Sequence, residues 1–435
     1  MKYINKIIGY ATLLFVFLVP YQARWIIESG EINGGYWEYG TKSLYATEAL
    51  LFLILAAIAV KGLLVLKKKN WGIRRQDLVS LRGALILMVT WAGLSIFWAY
   101  DKSVALEHWV ILVEAVAVFF ILLSNIVSSE KLFWALALSA GSQAALGLEQ
   151  FFTQTILAST WLGMASQEAG SLGPAVVETA TGRFLRAYGT FPHPNILGGY
   201  LVLGLLVIFN KLKEQIRFSV QKRSILLGLV ILITGGLAAS FSRSAWLALA
   251  AAWAYFLLSS WLDKQFKFAL KVTAVMAAVA IIFGAIYPNL LLARFGSATR
   301  LELKSSAERA ALTSDSLKII KSHMLIGAGF GNYGLANQAE VRPDEPAWYY
   351  QPVHNFFLLV WAELGLVGLA IVLCSLWFLA FRFAFRPEAR RISLFLLPVF
   401  VISLFDHYLW SLYPGLLLLG LYIRFSNPEN MANVR

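Results

Sequence analysis

The sequence predicts an all-α fold: a polytopic membrane bundle of about twelve transmembrane helices with a large outward loop that contains a helix of its own. Three observations predict it. The 435 residues are 59% hydrophobic and only 14% charged, where an ordinary soluble domain carries about 25% charge. Apolar runs of about the length a helix needs to cross a bilayer, roughly 20 residues, recur along the whole chain. The basic residues fall unevenly between alternate connections, as they do in a bundle oriented across a membrane. A soluble multidomain enzyme is excluded.

Lys2 and Lys6 precede the first run, 7–21, which reads as an anchor rather than a cleaved signal peptide because so many spans follow. Further runs lie near 44–66, 80–99, 108–127, 132–152, 192–210, 224–241, 244–262, 268–288, 353–380, 392–407 and 408–424. With the N-terminus inside, the inward connections take Lys67–Lys69 with Arg74 and Arg75, then 211–223, 264–271 and 382–391. Together with the span ends and the two tails these hold about two thirds of the 37 basic residues. That asymmetry predicts both termini inside. Much of the net charge of +13 is therefore an orientation signal suited to anionic membrane lipid, and nucleic acid is not expected as a partner. The single cysteine, Cys374, excludes a disulfide or a cysteine metal site within one chain. The transporter signature of two broken spans in matching halves is not evident.

Two outward segments, about 153–190 and 289–353, are too long to be simple turns, and loops beyond about 15 residues are usually functional or disordered. Both carry aromatics and aliphatics, unlike disordered chain. In the second, Ser305 and Glu308 form a capping-box pattern. The apolar residues that follow predict a helix ending near His323, lying on the bilayer surface or across the bundle mouth. Gly329–Gly334 fits GxGxxG, but no strand precedes it, so a dinucleotide site is rejected.

Candidate chemistry gathers at the outward side. His354 stands at the mouth of a span; at 100° per residue it shares a stripe with Trp361, Gly365 and Gly368, and glycines admit a close neighbour that would hold the imidazole in place. Histidine suits proton removal from a hydroxyl at neutral pH. His193 lies between two prolines, where packing is as good an account as catalysis. His323 suits a helix C-terminus, His108 sits at a span end, and His407 beside Asp406 is secondary because adjacent residues seldom pair usefully. Arg243 sits between two spans with almost no loop around it, and an arginine at membrane depth should face the interior with a partner. Arg309 falls in the first turn of the expected loop helix, where the dipole offers a cation nothing. Arg183 and Arg186 add an outward basic pair, and each arginine–phosphate contact is worth about 1.5–3 kcal/mol. Glu363 and Glu114 lie within spans. Asp344 and Glu345 mark a turn, and no cofactor or metal is expected.

On these residues the sequence resembles the O-antigen ligase and polymerase superfamily of bacterial envelope glycosyltransferases. Its ligase signature is met by His354, Asn355, Gly365 and Gly368. Further similarity lies in Gly189–Asn195, which includes His193, in Ser242–Trp246, in Arg309 and in Leu325–Asn332. The resemblance covers about 185–415.

The resemblance implies a bacterial inner-membrane protein. It would transfer a glycan, without metal, from a polyprenyl (undecaprenyl) pyrophosphate carrier to an acceptor on the periplasmic side. His354 would be the base on the acceptor hydroxyl, and Arg243, Arg309 and Arg186 would hold the pyrophosphate. Asn355, Gly365, Gly368 and His193 would support them, and the anomeric carbon would invert. The expected organisation is 1–184 as N-terminal spans and first periplasmic loop, 185–424 as the ligase-like region including loop 289–353, and 425–435 as an inward tail. The ligase acceptor would be lipid A–core. Polymerisation of a polysaccharide and glycosylation of a protein remain open, as do a transporter of lipid-linked sugars and an envelope scaffold without chemistry.

Overall fold

The structure, a computed structural model, describes residues 2–65, 81–124, 126–214, 219–296, 299–383 and 389–426. The Lys67–Lys69 run with Arg74 and Arg75, parts of the other inward connections and nearly all of the tail 425–435 lie outside the described residues.

Each apolar run is helical. In chain order the helices are α1 (Lys2–Leu18), α2 (Ala46–Val65), α3 (Leu81–Ser95), α4 (Lys102–Leu123), α5 (Ser129–Thr153), α6 (Pro194–Glu214), α7 (Val220–Ala239), α8 (Arg243–Leu262) and α9 (Phe266–Ile286). A short α10 (Pro288–Gly296) leads to α11 (Arg300–Ser322) and α12 (Tyr333–Glu340), then α13 (Phe356–Phe383), α14 (Ala389–Phe405), α15 (Tyr408–Ser411) and α16 (Tyr413–Ser426). Among the described residues six helices are long and apolar enough to cross a membrane: α4, α6, α7, α8, α9 and α13.

The all-α expectation omits eight short strands. They form four antiparallel pairs: β1 (Arg24–Glu28) with β4 (Lys42–Tyr45), β2 (Glu31–Ile32) with β3 (Gly35–Tyr36), β5 (Thr155–Ile156) with β6 (Gln167–Glu168), and β7 (Val176–Thr179) with β8 (Gly182–Leu185). All lie in the connections 19–45 and 154–193, which gather with 287–355 at one end of the bundle around a shared cavity.

Helix α6 is the axis of the fold. Its apolar window is wholly buried, and it packs against α5, α7 and α8. Its first residues are thereby fixed at the loop-bearing end. Local caps set other element starts: Asp101 accepts from the Ser103 and Val104 N–H groups at α4 (2.7 and 3.1 Å), and Ser242 caps α8 by accepting from Ala245 N–H.

Two helix predictions are corrected. The span read as one stripe from His354 through Gly368 is not continuous. Helix α13 begins at Phe356 and breaks at Gly365, whose φ of 68° is a left-handed value that favours glycine. The break frees carbonyls that a membrane interior cannot leave unpaired. Ala328 N–H donates to Ala362 O (2.9 Å), Gly329 N–H to Glu363 O (2.9 Å) and Trp91 Nε1 to Leu364 O (2.8 Å). The loop helix α11 starts at Arg300, ahead of the Ser305 capping box. Glu178 on β7 reaches its N-terminus, accepting from Leu301 N–H at 3.2 Å and pairing with Arg300 at 3.0 Å. A carboxylate there satisfies an orphan donor and the helix dipole together.

Candidate active site

The site forms where the turn between α14 and α15, the chain just before α13, and the start of α6 meet. Asn355 accepts from Leu358 N–H at 3.0 Å through its side chain and so caps α13. That cap leaves His354 outside the helix, half-buried, with its ring 5.1 Å from that of His407. His354 Nδ1 faces Asp406 Oδ1 at 3.8 Å, ion-pair range but longer than a hydrogen bond, and has no other partner.

Asp406 is held from behind. Asn195 Nδ2 donates to Asp406 Oδ2 at 2.7 Å, and His407 N–H donates to Oδ1 at 3.0 Å. Arg186 Nη2 donates to Asn195 Oδ1 at 2.7 Å, and its Nε donates to Ser240 O at 2.8 Å. The chain Arg186–Asn195–Asp406–His354 therefore runs from a buried cation to the imidazole. Burial, with Arg294 nearby, lowers the Arg186 guanidinium to about 9. Burial also lowers His407 to about 3, so its ring is neutral at pH 7. Burial by itself raises Asp406, but the imidazoles around it, His354 foremost, hold it below the usual carboxylate value.

Two cavities flank this chain. One, of about 440 Å³, is lined by His354, His193, Asp406 and His407 together with Tyr39 and Gln351. The other, of about 270 Å³, is lined by Arg243, Arg294, Arg309 and Asn195. Asn195 lines the second while bonding Asp406, which lines the first, so the cavities share a wall. Glu302 on α11 lies beside the arginines, pairing with Arg243 at 3.0 Å and with Arg294. Arg294 Nε also donates to Phe241 O at 3.0 Å, tying α10 to the start of α8. Burial lowers Arg294 as well.

The sequence candidates thus fall into groups. Arg243 and Arg309 share one cavity; Arg309 lies in the third turn of α11, not the first, because the helix begins at Arg300. Arg186 does not line that cavity, and its donors are directed to Asn195 and Ser240. His193 lines the larger cavity, and its Nδ1 accepts from Asn195 N–H at 3.1 Å. Asn355 is a helix cap. Gly365 is a break, and Gly368 lies just beyond it, where an added Cβ would meet the Leu364 side chain at 2.3 Å. Away from the site, His323 pairs with Glu340 at 2.7 Å and His108 bonds Val104 O at 2.9 Å. Glu363 accepts from Trp410 Nε1 at 2.8 Å. Asp406, Asn195, Arg294 and Glu302 were not singled out by sequence as site residues. Asp406, at a tight turn between two spans, and Asn195, at the end of the Gly189–Asn195 similarity, each carried a signal; Arg294 and Glu302 carried none.

The fold and this arrangement define a multi-pass membrane protein with a histidine–carboxylate pair beside an arginine-lined cavity. Residues 227–373, about a third of the chain, match the family model described as O-antigen ligase (Wzy_C). The matched stretch holds Arg243, Arg294, Arg309 and His354, and it supports a membrane glycosyltransferase of the O-antigen ligase or polymerase type. No curated protein matches the chain.

Proposed function

We propose that the protein transfers a glycan from a polyprenyl-pyrophosphate carrier to an acceptor hydroxyl at the periplasmic face of the bacterial inner membrane, most closely in the manner of an O-antigen ligase with lipid A–core as acceptor. The observation that carries this reading is the pair of adjoining cavities, one lined by His354 and Asp406 and the other by arginines, with the Asn195–Asp406 hydrogen bond as their common wall. The smaller cavity offers three guanidiniums against one carboxylate, a surplus that complements the two ionised phosphates of a pyrophosphate diester. The larger cavity offers aromatic and amide side chains, Tyr39, Tyr45, Gln22 and Gln351, beside the Arg24–Glu38 ion pair, a mixture suited to a sugar.

In this mechanism the acceptor oxygen bonds the anomeric carbon while its proton passes to His354. The bond from that carbon to the pyrophosphate breaks, its electrons stay on the leaving oxygen, and Arg243 and Arg309 stabilise the charge that develops there. A single displacement inverts the anomeric centre. The charge of Asp406, fixed by Asn195 and facing Nδ1 at 3.8 Å, favours the tautomer with its proton on Nδ1, so the other nitrogen takes the acceptor's proton. Arg186 positions Asn195. No step calls for a metal. The reading carries with it about twelve spans, both termini inside, 1–184 as the N-terminal unit and 185–424 as the catalytic one. Polymerase action on a second carrier-linked glycan uses the same chemistry.

The test is transfer by the purified chain from polyprenyl-pyrophosphate glycan to lipid A–core or to a second donor, comparing wild type with His354→Ala and Arg243→Ala. Loss in both variants is expected, and product analysis separates ligation from polymerisation. Full transfer by His354→Ala would overturn the assignment.

A further inference from the structure

His354, Asp406 and His407 each offer a ligand atom, and these atoms lie within 4.8 Å of one another. Three further observations go beyond proximity. His354 Nδ1 is buried with no hydrogen-bond partner, an electron pair or N–H left over by the protein itself. The other two ligands have the outer hydrogen bonds that metal-binding side chains need to be held in orientation: Asn195 Nδ2 on Asp406 Oδ2 at 2.7 Å, and Ser411 Oγ on His407 Nδ1 at 2.6 Å. All three side chains line the cavity of about 440 Å³, which leaves room for a fourth, exchangeable ligand.

We propose that His354, Asp406 and His407 form a binding site for a borderline-soft divalent cation such as Zn²⁺, and that its occupancy switches the protein off. Two imidazoles and one carboxylate are a donor set that suits zinc and disfavours Mg²⁺, which prefers oxygen ligands and keeps its water. Closing the three atoms onto an ion with bonds of about 2.0–2.2 Å draws them inward by small side-chain movements. The ion then occupies Asp406 and the Nδ1 of His354 together; the neutral ring must carry its proton on the other nitrogen, so the imidazole no longer accepts one. The inhibitory half rests on the function proposed above; the binding half does not.

The experiment uses the full chain in detergent, stripped with chelator and titrated with zinc chloride, with bound metal counted by mass spectrometry. Wild type is expected to bind one zinc more per chain than His407→Ala, and to bind no Mg²⁺ at this site. X-ray absorption at the zinc edge of wild type should show two imidazoles and a carboxylate oxygen in the shell. In the transfer assay zinc should suppress wild type about 10²–10⁴-fold, the contribution of a placed base, and chelator should restore it. Whatever transfer His407→Ala retains should be insensitive to zinc. Equal zinc binding by wild type and a folded His407→Ala, or an absorption spectrum without imidazole, would overturn the proposal whether or not transfer is observed. Zinc binding with these signatures but no glycan transfer by zinc-free wild type would count against the proposed function alone.

Discussion

At the scale of single residues, the roles follow from which partner each side chain has. His354→Ala removes the base and should lower kcat about 10²–10⁴-fold with donor KM little changed, measured with purified chain and carrier-linked glycan. Asp406→Asn keeps the shape but loses the charge that faces Nδ1; it should also act on kcat, less severely, with Asn195→Ala following in the same direction. The arginines should behave differently. Each guanidinium on a phosphate is worth about 1.5–3 kcal/mol, so Arg243→Ala and Arg309→Ala should each lower donor kcat/KM about ten- to a hundredfold. Arg243→Ala also frees Glu302 from one of its partners, so the double variant with Glu302→Gln should recover part of that loss. His354, Arg243 and Arg309 stand out in the sequence because a titratable or cationic residue at a membrane mouth raises a functional hypothesis beside the bland ones of packing, snorkelling or solvent. Asp406 stands out less. Its neighbour in sequence, His407, bonds it through the backbone N–H while its ring turns to Ser411, whereas the side-chain partners of Asp406, Asn195 and His354, come from other elements.

At the scale of elements, the break in α13 joins the glycines of two motifs that looked separate. A Cβ on Gly365 would lie 2.2 Å from Leu325 O, and one on Gly327 would lie 2.2 Å from Glu363 O. Gly327 thus serves close backbone packing against the broken helix, while Gly329 lies against Ala99 and Gly331 against the His108 ring. Gly365→Ala forces a left-handed conformation that costs about 1–3 kcal/mol and displaces a carbonyl as well. It should lower the melting temperature in detergent, as should Gly327→Ala. Gly228→Ala and Gly420→Ala, where an added Cβ meets nothing within 4 Å, should be neutral or slightly stabilising, because alanine is the better helix former. A periodic stripe was the natural reading of His354 through Gly368, and it misled because periodicity assumes an unbroken helix. The start of α11 was misread for a related reason: its cap is supplied by Glu178, far away in sequence, and no local pattern announces a cap of that kind. The strands escaped notice because pieces of two to five residues are too short to show an alternating pattern.

At the scale of the whole molecule, hydrophobic runs and charge disclosed the bundle, while the way its loops close over the site depended on contacts between distant segments. Trp37 Nε1 donates to Tyr350 O at 2.8 Å, and Asn33 Nδ2 donates to Pro343 O at 2.7 Å, so the connection 19–45 is clamped onto the connection 287–355. A reading along the chain treats the first as a mere link. The charge argument makes its own demand on topology. If the basic excess marks the inside, the strand-bearing connections and the site face outward, and the connection before α7 faces inward. Cys374 is the chain's single cysteine, so a Cys374→Ala background allows one reporter thiol at a time. Leu172, almost fully exposed in the connection 154–193, and Gln221, exposed at the start of α7, are suitable positions. A cysteine at 172 should react with a membrane-impermeant maleimide once only the outer membrane is opened, and a cysteine at 221 only after the inner membrane is lysed. The reverse pattern would turn the site toward the cytoplasm. Labelling of both positions before lysis would contradict the span count between them, because the five helices expected before 172 and the one between 172 and 221 must place them on opposite sides.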